Sequence, residues 1–325
     1  MSTAEPLLKV EQLKKHFTSR KQFLGAPSKT VKAVDGVSFE IARGGILGVV
    51  GESGCGKSTL GRAILRLHEP DSGSIIYDGK DLLALDHKEM RQYRQKLRMI
   101  FQDPYASLNP RMTVKELICA SLDVFSIGTK EERIEKVLDI MEKVGLPLEY
   151  LNRYPHEFSG GQRQRIMIAR ALVLNPDFVV CDEPVSALDV SVRAQVLNLM
   201  KDLQQELSLT YLFISHDLSV VQYLCDRIMV MYLGKVMEIA SNEELYSNPQ
   251  HPYTQALLSS ILVPDIDTPQ KRIRLSGDVP SPFNPPSGCR FHTRCIYARP
   301  ECSQCEPELR DIGGGHMVAC HLCSK

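Results

Sequence analysis

Gly51-Glu52-Ser53-Gly54-Cys55-Gly56-Lys57-Ser58 decides the fold, together with the apolar run Ile46-Leu47-Gly48-Val49-Val50 directly before it. The apolar run has the length of a buried strand, and the segment after it is rich in glycine. Apolar side chains then recur at helical spacing over residues 57–67, which predicts a helix there. A strand, a glycine loop and a helix in this order form the setting in which this pattern binds phosphate.

The chemistry of this phosphate loop explains the residue types. Glycines allow successive backbone N–H groups to turn inward around phosphate oxygens without a Cβ in the way. The start of the following helix adds its positive end. Lys57 is expected to reach the β- and γ-phosphates, and the Ser58 hydroxyl to ligate Mg²⁺.

A second buried strand is predicted at Phe178-Val179-Val180-Cys181, and it ends in Asp182 and Glu183. An aspartate at such a strand end, beside a phosphate loop, holds Mg²⁺ directly or through water. Glu183 is placed to polarise a water molecule for attack on the γ-phosphate. Acidic residues are also common at solvated strand ends, so only the neighbouring phosphate loop favours the catalytic interpretation.

Ser159-Gly160-Gly161-Gln162 opens another predicted helix. Exposed N–H groups at a helix start form an anion site. Because one nucleotide does not need two phosphate-binding sites, this second site could serve a nucleotide held by a partner. The alternative is that Ser159 is an ordinary helix cap, and physical reasoning alone favours this simpler interpretation.

The rest of the chain alternates strands and helices, which indicates a mainly parallel sheet covered on both faces. We expect residues 86–157 to be mostly helical and residues 211–214 to form a third strand. An amphipathic helix before that strand is predicted to bury Val192, Val196, Leu199, Leu203 and Leu207.

Composition excludes several classes of protein. The 325 residues include 43 % apolar and 24 % charged ones, the balance of a globular chain rather than a disordered one. The 39 basic residues cancel the 39 acidic ones, so no net field attracts nucleic acid. There is no apolar run of 18 residues and no secretory signal at the start, so we expect a cytoplasmic protein.

Cysteine is unusually abundant, with ten residues in the chain. In a reducing compartment, a local cluster suggests metal binding before disulfides. Six of the ten lie near the C-terminal end, at Cys289, Cys295, Cys302, Cys305, Cys320 and Cys323.

In order and spacing, residues 51–59, Gln102, residues 159–164, Asp182-Glu183, residues 186–189 and His216 resemble the ATP-binding cassette (ABC) ATPases. The resemblance covers about residues 7–250 and implies an α/β fold of the P-loop NTPase, ABC type, with a β-rich N-terminal edge and a helical subdomain at about 90–165. It also implies a head-to-tail dimer with two ATP molecules, each between the phosphate loop of one subunit and the Ser159 helix start of the other. The nucleotide-binding residues that it implies are Phe17, Gly51, Ser53, Gly54, Gly56, Lys57, Ser58, Thr59, Gln102, Ser159, Gly160, Gly161, Gln162, Asp182 and Asp189.

The same resemblance assigns individual roles. Gln102 would contact Mg²⁺, alongside Ser58 and Asp182, or the attacking water. His216 would hold the γ-phosphate and orient Glu183; without the family it would be interpreted as an ordinary histidine after a strand. Asp189 would bridge the dimer.

Phe17 would stack on adenine, although a core or edge aromatic is the alternative.

The C-terminal part narrows the family. His251-Pro252-Tyr253-Thr254, Leu275-Ser276-Gly277 and Pro285-Pro286 resemble the C-terminal extension of dipeptide and oligopeptide importer ATPases, in particular the second ATPase subunit of dipeptide importers. This implies an ATP-binding domain at residues 1–250 and an extension at 251–325. The expected activity is ATP hydrolysis that powers peptide import, and nickel import is the alternative.

Expected partners are a second ABC ATPase subunit in a heterodimer, two membrane permeases and an extracytoplasmic solute-binding protein, with this chain peripheral on the cytoplasmic face of the membrane. ABC ATPases of DNA repair or translation are an alternative, but they usually have a coiled-coil insertion or two cassettes. A metal-sensing ATPase would depend on the cysteines alone.

Members of this subgroup can hold a [4Fe–4S] cluster with the spacing C-x5-C-x6-C and a distant fourth cysteine, which Cys289, Cys295, Cys302 and Cys320 fit. Two CxxC pairs, Cys302 with Cys305 and Cys320 with Cys323, are instead close to zinc-ribbon spacing. The remaining alternative is a group of metal-free thiols. We expect the iron–sulfur cluster.

Overall fold

The computed structural model describes residues 5–18, 30–260 and 273–323. The strands are β1 (Pro6–Thr18), β2 (Thr30–Ala42), β3 (Ile46–Val50), β4 (Ser72–Tyr77), β5 (Lys80–Asp81), β6 (Leu97–Ile100), β7 (Phe178–Asp182), β8 (Thr210–Ile214), β9 (Arg227–Tyr232), β10 (Lys235–Ser241), β11 (Arg310–Asp311) and β12 (Met317–Val318).

The α-helices are α1 (Lys57–Ile64), α2 (His87–Lys96), α3 (Pro104–Ser107), α4 (Val114–Val124), α5 (Lys130–Lys143), α6 (Gly160–Leu172), α7 (Val190–Glu206), α8 (Leu218–Leu224), α9 (Asn242–Ser247), α10 (Pro252–Leu258) and α11 (Pro300–Gln304). Single 3₁₀ turns lie at Leu82–Ala84, Leu148–Asn152, Pro155–Glu157, His292–Arg294 and His321–Cys323. Within the described ranges, no helix combines the length and the hydrophobicity needed to cross a bilayer.

The described residues form two compact units. The first unit contains residues 5–7, Ile41–Ile46 and Leu82–Ile214. Its core is the parallel set β6-β7-β8, in which Leu97 is paired with Phe178 and Phe178 with Thr210. Both β7 and β8 are buried along their whole length, which is why they consist almost entirely of apolar residues.

The helices of the first unit begin where the sequence supplies caps. Helices α2, α4 and α5 each start with a reciprocal capping box, in which the cap side chain accepts from the third helical residue and that residue's Glu accepts from the cap. The pairs are Asp86 with Glu89, Thr113 with Glu116 and Thr129 with Glu132.

Two local predictions need correction in this unit. Strand β6 lies inside the segment expected to be helical, because a four-residue apolar run cannot be assigned by periodicity alone. Helix α7 is confirmed, but of the five side chains predicted to be buried only Val196 and Leu203 are. The other three, Val192, Leu199 and Leu207, are half-buried, and Leu197 and Met200 are buried instead.

The second unit contains Leu8–Glu40, Leu47–Asp81 and Ser215–Lys325, within the described ranges. Strands β1, β2, β4 and β5 form one sheet in the order β2-β1-β4-β5, which is the predicted β-rich N-terminal part. Elsewhere β3 lies parallel to β9, and β10 lies antiparallel to β9. The C-terminal extension adds β12 antiparallel to β10, with Glu238 opposite Val318.

A buried ion-pair network joins the extension to the rest of the second unit. Arg290 Nη2 donates to Asp35 Oδ2 at 2.6 Å, and both side chains are buried. Lys235, Lys32 and His16 also lie within 4 Å of the Asp35 carboxylate. Burial alone would raise the pKa of Asp35, but the charges of Lys235, Lys32 and Arg290, together with the hydrogen bond to His16, hold it below its ordinary value.

This network predicts a pH-dependent stability. A carboxylate whose pKa is lowered by folding stabilises the native state above its ordinary pKa, near 4, and loses that contribution as the pH falls further. We expect Asp35→Asn to lower the free energy of unfolding by about 3 kcal/mol at pH 7, because it leaves buried positive charge uncompensated. Chemical denaturation of both proteins should show the difference shrinking below about pH 4.

Asp123→Asn serves as the control, since the ion pair between Asp123 and Arg133 lies at the surface and contributes less than about 1 kcal/mol. A difference between wild type and Asp35→Asn that is the same at every pH would contradict the electrostatic explanation.

Candidate nucleotide site and family

The phosphate loop connects β3 to α1 in the second unit, as predicted, and α1 begins at Lys57. Gly51 and Gly56 have positive φ angles of 150° and 106°. A Cβ on Gly51 would overlap the carbonyl oxygen of Met231, and one on Gly56 would overlap that of Ala33. Only glycine therefore allows this loop to lie so close to its neighbours.

Lys57 is buried at this loop. Its Nζ donates to the carbonyl oxygens of Gly51 at 2.7 Å and Glu52 at 3.0 Å. The ammonium group is thereby held against the loop backbone, where it can serve an anion bound by the loop N–H groups.

Two predicted catalytic residues, Gln102 and Glu183, meet at the end of β7 in the first unit. Glu183 follows the fully buried Asp182 and has a φ angle of 47°, which is uncommon for a non-glycine residue. Gln102 Nε2 donates to Glu183 Oε2 at 3.0 Å, although 81 positions separate the two residues. The Glu183 backbone is fixed as well, because its N–H donates to Ile214 O at 3.0 Å.

The start of α6 confirms the capping interpretation of Ser159. Ser159 Oγ accepts from Gln162 N at 3.3 Å, and Gln162 Oε1 accepts from Ser159 N at 3.0 Å. Gly161 is buried against α7, where a Cβ would overlap Cγ1 of Val192. The cap orders this helix start and leaves its role toward a second nucleotide as a prediction.

The other predicted residues are distributed as follows. Asp189 is exposed at the N-cap of α7, and its side chain makes no capping hydrogen bond. His216 is exposed in the second unit, two residues before α8. Phe17 is a 39 % exposed residue of β1 whose ring meets that of His68 edge-on at 5.4 Å, so it is not a core aromatic.

The four cysteines predicted to hold iron border one small cavity of about 10 Å³. Such a cavity is the size of a single water molecule. Burial raises the pKa of Cys289 to about 11 and also raises the pKa of Cys295 and Cys320.

The prediction of a [4Fe–4S] cluster is wrong. Within residues 5–18, 30–260 and 273–323, no group of three or more His, Cys, Asp or Glu side chains is arranged to hold a metal ion. The same observation gives the zinc alternative no support, and none of the ten cysteines, all of which are described, forms a disulfide.

Two residues that contact the phosphate loop were missed by the sequence analysis, Tyr253 and Arg294. Tyr253 belongs to the His-Pro-Tyr-Thr motif, which marked the extension but gave no role for its tyrosine. Arg294 lies between two of the cysteines, and no local pattern distinguishes it from its neighbours.

Comparison with known proteins decides the family. The family model described as "ABC transporter" matches residues 34–186, and the model described as "Oligopeptide/dipeptide transporter, C-terminal region" matches residues 237–302. A putative oligopeptide transport ATP-binding protein, YkfD of Bacillus subtilis, is 57 % identical over 98 % of this chain and 95 % of its own.

The chain belongs to the ABC transporter ATPases of the dipeptide and oligopeptide importer family. The dipeptide transport ATP-binding protein DppF of Escherichia coli is 54 % identical to this ABC ATPase over 98 % of this chain and 97 % of its own. The names of YkfD and DppF refer to peptide transport and not to iron–sulfur chemistry. Membership of this family makes the protein an ATP hydrolase that uses ATP and Mg²⁺.

Solved structures show the same ABC ATPase fold. A subunit of the ABC transporter complex cbiONQ from Clostridium perfringens has a TM-score of 0.65 and 27 % identity, covering 75 % of this chain and 91 % of its own. A dimeric ATP-binding cassette in a post-hydrolysis state with ADP and Pi has a TM-score of 0.63 and 28 % identity, covering 72 % and 98 %.

The two glycines of the α6 start provide a test of how this ABC ATPase packs. Gly161→Ala should lower the free energy of unfolding by about 1–3 kcal/mol, because the new methyl group must displace Val192. Gly160→Ala is the matched control, since its Cβ would lie 3.4 Å from Leu188 Cδ2, an ordinary contact. Denaturant unfolding measures both effects.

Adding Val192→Ala to Gly161→Ala should restore most of the loss, because the smaller side chain removes the overlap. Equal effects of the two glycine substitutions would disprove the packing argument.

Proposed function

We propose that this chain binds Mg-ATP on its phosphate loop and hydrolyses it to power the import of dipeptides and oligopeptides. The observation that carries the proposal is the similarity, over 98 % of this chain, to proteins named for dipeptide and oligopeptide transport. The match of the C-terminal region to the oligopeptide/dipeptide transporter model supports the same substrate class. Neither comparison favours a role in repair or translation.

The proposed Mg²⁺ ligands are Ser58, Gln102 and Asp182. A hydroxyl, an amide oxygen and a carboxylate are the hard oxygen donors that Mg²⁺ prefers. Gln102 donates to Glu183 through its nitrogen, which leaves its amide oxygen available as an acceptor. When bound, Mg²⁺ would neutralise charge on the β- and γ-phosphates.

The other proposed roles belong to the chain itself. Lys57 and the loop N–H groups would bind the phosphates, together with Thr59, and Glu183 would accept a proton from the attacking water. His216 would hold the γ-phosphate. Phe17 would stack on adenine, which its exposed ring permits.

Asp189 and the start of α6 would serve the nucleotide of a second cassette. Their exposure supports this role, since both Ser159 and Asp189 are at the surface of the described chain. We propose a heterodimer with a second ATPase subunit, two permeases and an extracytoplasmic solute-binding protein. The chain would be peripheral on the cytoplasmic face of the membrane, with the ATP-binding domain at 1–250 and the extension at 251–325.

Glu183→Gln tests the catalytic assignment. We expect the rate of ATP hydrolysis to fall by about 10²–10⁴-fold, because the amide cannot accept the proton of the water. Binding of ATP, measured by equilibrium titration, should stay near the wild-type value. Hydrolysis at a near wild-type rate would remove Glu183 from this role.

Glu206→Gln is the matched control, because Glu206 lies at the exposed end of α7 and pairs only at the surface with Lys143. It should hydrolyse ATP at the wild-type rate.

The transport function is tested in native membranes. We expect the tagged chain to co-purify with two permeases, a second cassette ATPase and a solute-binding protein, as identified by mass spectrometry. Cells that lack the chain should lose uptake of radiolabelled dipeptides and oligopeptides but keep uptake of labelled nickel ions.

Expression of the wild-type chain should restore uptake, and expression of Glu183→Gln should not. Loss of nickel uptake with unchanged peptide uptake would overturn the peptide assignment, and recovery of the chain with ribosomes or DNA would overturn transport altogether.

A further inference from the structure

One residue of the phosphate loop, Glu52, is tied through all three of its polar groups. Its backbone N–H donates to Tyr253 Oη at 3.0 Å, and its carbonyl oxygen accepts from Lys57 Nζ at 3.0 Å. Its carboxylate accepts from Arg294 Nη1 at 3.0 and 2.9 Å to the two oxygens. Two of these three partners, Tyr253 and Arg294, lie more than 200 positions away, in the C-terminal extension.

Tyr253 is held rigidly where it meets the loop. It is fully buried in the first turn of α10, and its ring packs against those of Tyr232 at 4.8 Å and Phe291 at 5.2 Å. Its N–H donates to His251 Nδ1 at 3.0 Å, and burial lowers the pKa of His251 to about 3, so this histidine is neutral and able to accept. The position of the tyrosine hydroxyl at the loop is thus fixed by the packing of its ring and by the hydrogen bond of its backbone.

Arg294 is equally fixed and neutralises a charge within the loop. Only 9 % of the residue is exposed, and its Nη1 also contacts Tyr232 Oη at 3.4 Å. Without Arg294, the Glu52 carboxylate would be an unpaired negative charge in a loop that has to bind polyanionic phosphate. The arginine therefore acts on the electrostatics of the loop as well as on its position.

A neighbouring arginine, Arg290, allows the effect of Arg294 on the loop to be distinguished from a general effect on the packing of the extension. Arg290 lies four residues before Arg294, is also buried, and pairs with Asp35 at 2.6 Å. Asp35 belongs to β2 and not to the phosphate loop. The two arginines thus hold the same segment, but only Arg294 contacts Glu52.

We propose that the C-terminal extension sets the affinity for ATP through the phosphate loop, with Tyr253 and Arg294 as positioning residues that fix Glu52. This inference depends on the proposed binding of ATP by the loop. It extends that function, because it makes the extension part of the nucleotide site of this chain.

The test measures KM for ATP and kcat of the full chain in its transporter complex. Arg294→Gln should raise KM about tenfold with kcat changed less than about twofold, because phosphate binding is weakened by the unpaired Glu52 charge. Tyr253→Phe, which removes one oxygen atom, should raise KM about fivefold, equivalent to about 1 kcal/mol at 1.4 kcal/mol per factor of ten.

Each variant has a matched control. Arg290→Gln breaks a buried arginine–carboxylate pair in the same segment away from the loop, and Tyr246→Phe breaks a hydroxyl hydrogen bond to Leu218 O. Both should keep KM within about twofold of the wild-type value.

The double variant Glu52→Gln with Arg294→Gln distinguishes neutralisation of the Glu52 charge from a purely structural role of Arg294. Removal of the carboxylate should bring KM back to within about threefold of wild type, since no unpaired charge remains. A KM that stays raised in the double variant, or an equal rise for Arg290→Gln and Arg294→Gln, would overturn the inference.

Lys57→Ala distinguishes failure of the inference from failure of the proposed function. If Lys57→Ala abolishes ATP binding while Tyr253→Phe and Arg294→Gln leave KM unchanged, the extension has no role and the nucleotide site stands. If Lys57→Ala leaves ATP binding unchanged, the phosphate loop is not the nucleotide site and both proposals fail.

Discussion

The structure of the second unit depends on a close approach between backbones at the phosphate loop. Gly51 lies against the carbonyl of Met231, and Gly56 against that of Ala33, with no room for a Cβ at either position. The carbonyl of Cys55, inside the loop, accepts from Gly234 N at 2.9 Å. The loop is therefore fixed from outside by strands β2 and β9 and by the turn after β9. A rigid cradle binds phosphate without having to order itself first.

The sequence predicted those parts of the site that depend on local chemistry. Glycine, Lys57 and Ser58 at fixed spacing between a strand and a helix specify the loop because each residue acts on its immediate neighbours. The end of β7 at Asp182 followed from an apolar run and its acidic terminus. That Ser159 caps a helix is a local prediction too, and in the structure its side chain accepts from Gln162 N at 3.3 Å.

Contacts between distant positions could not be predicted in this way. The hydrogen bond from Gln102 to Glu183 joins residues 81 positions apart, and only the family resemblance indicated that both belong to one site. No pattern in the sequence around Tyr253 or Arg294 indicated that these residues contact Glu52. The cysteines show a further limit, since their spacing suggested a metal centre, but within the described residues no group of three ligands is arranged to hold a metal ion. The arrangement of side chains around a common point depends on the whole fold, which spacing along the chain does not give.

The extension also supplies hydrogen bonds to a buried acidic side chain in the core of the second unit. Glu238 on β10 is fully buried, where an unpaired carboxylate is strongly destabilising. Its oxygens accept from the backbone N–H groups of Gln250 at 2.8 Å and His251 at 3.0 Å, and from His316 Nε2 at 2.7 Å. These donors belong to the segment that enters the extension or to the extension itself, so the extension supplies the hydrogen bonds that offset the burial of Glu238. His251 in turn caps the helix that carries Tyr253, and Tyr253 accepts from the backbone N–H of Glu52. A continuous series of contacts therefore runs from Glu238 to the phosphate loop. The extension therefore contributes hydrogen bonds to the core of the second unit as well as contacts to the phosphate loop.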